Sequence, residues 1–218
     1  MSVESLNTMV DKFENMETGD ILLMGNRSFW FSKIVEMYTG SKWSHVGVIL
    51  KNPTWIDPSL NGYYLWQSGS EKFNDSEDHK NLFGVRLDDL EEIIESYDGY
   101  VAWRHLKVKD TIPDLENKLK EAHRIVHDKK YDLNIMDFLK ARDYVIESNC
   151  ISLAKMLNFR RTDKFFCSAL VGFIYQQIGL LPLDTEWSRC EPKTFSSENQ
   201  SLNLEMGAIL EPEIFIKN

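Results

Sequence analysis

With 218 residues, 43% of them hydrophobic and 27% charged, the chain can build one good core and lacks the bias of a disordered or fibrous protein. A formal net charge of −9 argues against nucleic-acid binding and against simple electrostatic docking on anionic lipid, since both need a basic face. The start Met1-Ser2-Val3-Glu4-Ser5 lacks a secretory pattern and no apolar run reaches membrane-spanning length, so a soluble cytoplasmic protein is expected, with peripheral membrane contact left open.

Val3, Leu6, Met9, Val10, Phe13 and Met16 recur at helical spacing, which predicts an amphipathic N-terminal helix over 1–17. Ile21-Leu22-Leu23-Met24 follows as a short strand, Phe29 to Tyr38 as a second helix, and Ser44 to Leu50 as a strand rich in β-branched residues. Further strands are expected at Tyr63–Gln67, Gly84–Leu87 and Tyr100–Leu106. Leu115, Leu119, Ala122 and Val126 mark a helix beginning after Pro113. Residues 144–163 read as a possible insertion. Leu170, Val171, Ile174 and Ile178 share one face of a helix that Gly179 ends, and the tail from Leu180 is expected to wrap the surface. No repeat or linker appears, so one α+β domain over 1–218 is expected.

The cysteines, Cys150, Cys167 and Cys190, are odd in number and form no Cys-x-x-Cys pair, so neither a disulfide framework nor a zinc knuckle is indicated. A redox pairing of Cys167 with Cys150 or Cys190 is a weak alternative. Cys167 falls at the first turn of its helix, where unpaired N–H groups and the helix dipole favour a thiolate, the reactive form. A buried structural cysteine is the competing reading.

A cysteine nucleophile needs a base, and five histidines are available. His45, at the start of an apolar strand, has the rigidity the role requires; a core histidine is the alternative. His79 reads as solvated loop and His105 as a weaker base. His123 and His127 stand at helical i, i+4 spacing but lack the intervening Glu of the zinc-protease motif and any obvious third ligand, so no metal is expected.

Taken in order, Thr18-Gly19-Asp20-Ile21-Leu22-Leu23, Thr39-Gly40-Ser41-Lys42-Trp43-Ser44-His45-Val46-Gly47-Val48, Phe83-Gly84-Val85, Ala102-Trp103-Arg104, Lys130-Tyr131-Asp132 and Phe166-Cys167-Ser168-Ala169-Leu170-Val171 resemble the permuted NlpC-type papain-like proteins. The nearest variety is the YiiX-like branch, which includes bacterial and poxviral members. The resemblance spans roughly residues 18 to 195 and implies a circularly permuted papain-like fold, a small antiparallel sheet packed against helices, with the histidine ahead of the cysteine in the chain.

The resemblance implies a third polar residue on the strand after the histidine strand, often Glu in the family. Gln67 occupies the matching place, with Ser68 and Ser70 as alternatives should the register differ. An amide oxygen can accept the imidazole N–H but brings no negative charge. Asp20, Trp43, Ser44, Trp66 and Ser168 are candidate substrate-binding residues, with competing structural roles: a turn tie for Asp20, a strand cap for Ser44, core packing for the tryptophans. Arg160 and Arg161 read as a solvated basic pair.

The expected reaction is acyl transfer from an amide or ester, with Cys167 as nucleophile, His45 as base and then acid, and no cofactor. Superfamily relatives cleave peptidoglycan peptides or handle lipid acyl groups, and a lipid is ranked slightly ahead of a peptide or other small-molecule substrate. A silent binding module that keeps the cleft is the alternative, and the oligomeric state is left open.

Overall fold

The computed structural model describes residues 13–26, 40–69, 74–80, 83–131, 164–199 and 202–217. The expected N-terminal helix lies mostly outside the described residues, with positions 13 and 14 helical. The Phe29–Tyr38 helix, Ser70, Asp132, the 144–163 segment with Cys150, and Arg160 and Arg161 lie outside them altogether.

The described residues form a mixed α+β fold. Its strands are β1 (Ile21–Asn26), β2 (His45–Lys51), β3 (Tyr63–Gly69), β4 (Gly84–Asp89), β5 (Gly99–Arg104), β6 (Leu106–Lys107), β7 (Lys130–Tyr131), β8 (Lys164–Phe165), β9 (Ile209–Leu210) and β10 (Ile214–Lys217). The main sheet has the order β10-β5-β1-β2-β3-β4-β7-β8, and β6 pairs with β9 separately. All pairs but β7–β8 are antiparallel. The sheet is therefore larger than the small one expected. Part of the growth comes from the tail: β10 adds an edge strand against β5 instead of only wrapping the surface.

Side chains on a strand alternate between faces, and here both faces are buried. Leu23, Val48, Tyr64, Trp66 and Leu87 belong to the core shared with helices α2 (Leu115–Val126) and α3 (Cys167–Gln177). Leu22, Ile49, Leu65 and Trp103 belong to a second core with helix α1 (Leu90–Ser96), which supplies Leu90, Ile93 and Ile94. Helix α1 has no counterpart in the sequence reading. It starts at Asp89, whose carboxylate accepts the Glu92 N–H at 2.9 Å, and Glu91 and Glu92 suit the positive end of its dipole.

Helix α3 is buried along its whole length from Cys167 to Gln176, which explains a sequence that is apolar on all sides rather than striped. At Gly172 an added Cβ would stand 2.9 Å from Cys190 Sγ and 3.1 Å from the Trp187 carbonyl, so only glycine lets the 3₁₀ turn Trp187–Arg189 approach this closely.

Two buried polar groups clamp the sheet. Arg104 donates to the carbonyls of Phe195, Leu210 and Glu211, fastening the tail to the end of β5. Asp20, with no exposure, accepts from Glu17 N–H (3.0 Å), Trp103 Nε1 (2.7 Å) and Leu106 N–H (2.8 Å) and lies 3.1 Å from His105 Nδ1.

Candidate functional site

Two short strands deliver Cys167. β7 pairs with β4 through Lys130↔Gly84, and β8 lies parallel to β7, so the chain enters α3 directly from the sheet edge. Phe166 precedes the helix without any side-chain cap, and the first hydrogen bond back to it comes from Leu170 N–H at 3.0 Å. The N–H groups of the first turn are thus left for other acceptors. The Cys167 sulfur takes hydrogen bonds from the backbone N–H groups of Ser168 and Val46.

The role of Val46 follows from the ladder. β2 pairs with β1 along His45, Val46, Gly47 and Val48, whereas its pairing with β3 begins at Val48↔Trp66. Among the described residues, the first residues of β2 therefore pair with β1 and not with β3, which leaves the Val46 N–H to the sulfur.

His45 opens β2 and is partly buried. Its Nε2 lies 2.5 Å from Gln67 Oε1, and its ring is also hydrogen-bonded to the Cys167 thiol. With Nε2–H donating to the amide oxygen, Nδ1 is the nitrogen left to take the thiol proton. The Gln67 amide nitrogen donates to Asp88 Oδ2 at 2.6 Å, and Asp88 is held by Arg86 at 2.5 Å through Nη2 and 2.9 Å through Nε. Arg86 and Asp88 are two residues apart on β4 and share a face, and Arg86 stands opposite Gln67 across the strands. The result is a line running Cys167, His45, Gln67, Asp88, Arg86.

Burial opposes charge on both Cys167 and His45, but their partners prevail. Burial pushes the Cys167 thiol up, while His45 and the N–H groups of Val46 and Ser168 pull it down further, so its net direction is down. Burial lowers the His45 imidazolium, while Cys167, Gln67 and Asp88 raise it, and the net direction is up. Both directions favour a thiolate beside an imidazolium. Asp88 is itself raised by burial, against the pull of Arg86 and Gln67.

The other sequence candidates fall elsewhere. Trp43 and Trp66, read as cleft-lining, are core residues with 0% and 1% exposure. Trp43 packs between Tyr100 and Phe215, and Trp66 points to the α2–α3 face by strand alternation. Ser168, also read as substrate-binding, has a buried hydroxyl that donates to the Cys190 carbonyl at 2.6 Å; only its backbone N–H faces the thiol. Asp20 belongs to the Trp103–His105 clamp, which also explains His105. Ser44 bonds back to the Met24 carbonyl through its N–H at 3.0 Å, in keeping with a strand cap. Ser68 is fully buried, and Gln67 takes the His45 contact.

Cys190 is a free buried thiol pushed up to about 12, and it lies beside Gly172, five residues or about 7.5 Å along the helix from Cys167. His79 is exposed, as expected, and His123 and His127 stand against Glu77. Asp88 and Arg86 are the site residues that sequence reasoning missed. The available signal was Val85-Arg86-Leu87-Asp88, two opposite charges interleaved with apolar residues on one strand.

No protein-family model matches the chain, and no curated protein matches it. Among solved structures the chain is similar to the metalloprotein yiiX from Escherichia coli O157:H7, described as DUF1105. Identity is 19% and the TM-score 0.47, over 74% of this chain and 66% of that one, just under two thirds of its length. Among the described residues, no helix is long and apolar enough to cross a membrane.

Proposed function

We propose that the chain is a cysteine-dependent hydrolase or acyltransferase acting on an amide or ester, built on a circularly permuted papain-like fold. One observation carries the reading: His45 bridges the Cys167 thiol and the Gln67 amide at the uncapped start of a helix. In the proposed cycle His45 Nδ1 takes the thiol proton and Cys167 Sγ attacks the acyl carbon. The developing oxyanion is met by helix-start N–H groups, that of Cys167 itself included. The tetrahedral adduct collapses as the leaving alcohol or amine takes the proton from His45, which leaves a thioester. Water, or an acceptor alcohol or amine, then gives its proton to His45, attacks the thioester and releases the thiol.

The test is to incubate wild type and Cys167→Ala with acyl lipids, tried first, and with peptides, and to weigh the intact protein. An acyl adduct on wild type that is absent from Cys167→Ala is the expected result. An adduct that survives the substitution sinks the proposal. The burial of Cys167, at 5% exposure, favours a second reading in which the cleft holds a lipid or peptide without turnover. Saturable binding with no adduct and no product would establish that second reading instead.

A further inference from the structure

The fold supplies what the sequence withheld from His123 and His127, a third ligand-bearing residue. We propose that Glu77, His123 and His127 form a zinc site, separate from the Cys167 centre.

The two histidines lie one helical turn apart at the end of α2, with ring centroids 4.9 Å apart. His123 Nε2 is 2.8 Å and His127 Nδ1 is 3.3 Å from the same oxygen, Glu77 Oε2. One ligand atom from each residue falls within a 4.8 Å cluster. Ligand atoms around a tetrahedral zinc with bonds of about 2.05 Å lie about 3.3 Å apart, so small side-chain movements would admit the ion. Two neutral imidazoles and a carboxylate are a ligand set that zinc accepts with a fourth position left for water. Side-chain exposures of 15%, 18% and 33% for His123, Glu77 and His127 leave that position open to solvent.

The surroundings hold the ligands in place. His127 turns its other nitrogen, Nε2, toward Asp128 Oδ2 at 3.6 Å, and Lys80 anchors that carboxylate at 2.6 Å. A carboxylate behind a ligating histidine orients the ring and raises its basicity. His123 is packed against Trp55 and Trp66, with centroids 6.3 and 5.9 Å away. The Glu77 loop hangs on β4: the Asp75 carboxylate accepts the N–H groups of Glu77 at 2.8 Å and Leu87 at 3.2 Å, and Ser76 N–H reaches the Leu87 carbonyl at 2.8 Å. Trp66 and Gln67 are consecutive on β3 and point to opposite faces, so the cluster lies across that strand from the His45–Gln67 contact.

The experiment is zinc titration of the full chain after chelator treatment and dialysis, read by calorimetry and elemental analysis. The variants are Glu77→Gln, His127→Ala and Cys167→Ala, each checked for folding by circular dichroism. One zinc per chain is expected in wild type and in Cys167→Ala. Binding should weaken in Glu77→Gln and His127→Ala by more than roughly a hundredfold, beyond what losing an outer hydrogen-bond partner causes. No stoichiometric uptake by wild type, or uptake unchanged in both ligand variants, overturns the site and leaves the cluster an ion-pair lock on the loop. Zinc lost from Cys167→Ala but kept by Glu77→Gln also overturns it, placing the ion on the Cys–His pair.

Discussion

Asp20 and Asp88 are both buried carboxylates near a histidine, yet they serve different ends. Asp20 is surrounded by donors from β5, β6 and the turn before β1, and these contacts close a structural knot that ties residues more than eighty positions apart. Asp88 has a guanidinium on one side and an amide on the other, and the amide hands its influence to a histidine that touches a thiol. A buried carboxylate encircled by backbone and indole donors is a staple. One placed behind a chain of hydrogen bonds that ends at a thiol is suited to tuning that thiol, under the function proposed above.

Breaking the reactive end should give the largest effect. With His45→Ala, Cys167 loses its charge partner and hydrogen bond while burial remains, so its thiol moves up. Thioester formation should drop on the order of 10²- to 10⁴-fold, the usual contribution of a general base. Iodoacetamide labelling should shift to higher pH, because the lowered direction in wild type keeps thiolate populated below the ordinary thiol range. An ordinary thiol profile for wild-type Cys167, unmoved by His45→Ala, would falsify the activated pair.

Asp20→Ala should act on the other region alone. It strands the Trp103 indole N–H and the Leu106 N–H in the interior and should cost about 3 kcal/mol, read by urea denaturation. The labelling profile of the folded variant should match wild type. A shifted profile would mean that the two regions are one coupled network.

Gln67→Glu sharpens the contrast at smaller scale. The amide is suited to its place because it must accept from His45 and donate to Asp88; a carboxylate there would face Asp88 Oδ2 at 2.6 Å with no proton between them. A loss of about 1–3 kcal/mol is expected despite the added charge beside His45. Adding Asp88→Asn should restore part of it, since Arg86 lies opposite position 67 and can pair with the new carboxylate. Additive losses in that double-mutant cycle would contradict this account of the amide.

Much of the scaffold was legible because its elements are strongly patterned. β1 to β5, α2 and α3 coincide with the apolar runs and spacings read from the chain, and Cys167 does begin α3. What escaped has physical causes. Helix α1 is only seven residues long and follows a strand without a break, so its cap at Asp89 is its main signal. β10 is a short edge strand whose apolar Ile214 and Phe215 are exposed, and its pairing with β5 is a long-range fact. Arg86 and Asp88 carry charge on a strand, a pattern that ordinarily means a solvent face. Their burial depends on cross-strand register with Gln67, and Glu77 meets His123 only through tertiary contact. Trp66 escaped for another reason: it stands in the unbroken apolar run Tyr63 to Trp66, whose alternate residues pack into two different cores, so the period by itself does not separate a core tryptophan from a cleft-lining one.

The finest test lies at Gly69, beside the histidine on β3. A Cβ built there would stand 3.3 Å from His45 Cε1, 3.6 Å from Gln67 Oε1 and 3.7 Å from His45 Nε2. The imidazole must then yield by a few tenths of an ångström, enough to misalign a ring held between thiol and amide but not enough to disrupt packing. Gly69→Ala should therefore lower the labelling rate at neutral pH by about two- to tenfold, a ~0.4–1.4 kcal/mol effect on the reactive geometry. Stability should hold or rise by about 0.5 kcal/mol, since alanine reduces the freedom of the unfolded chain. Rate and stability falling together would show that this glycine, like the Asp20 knot, serves the fold rather than the pair.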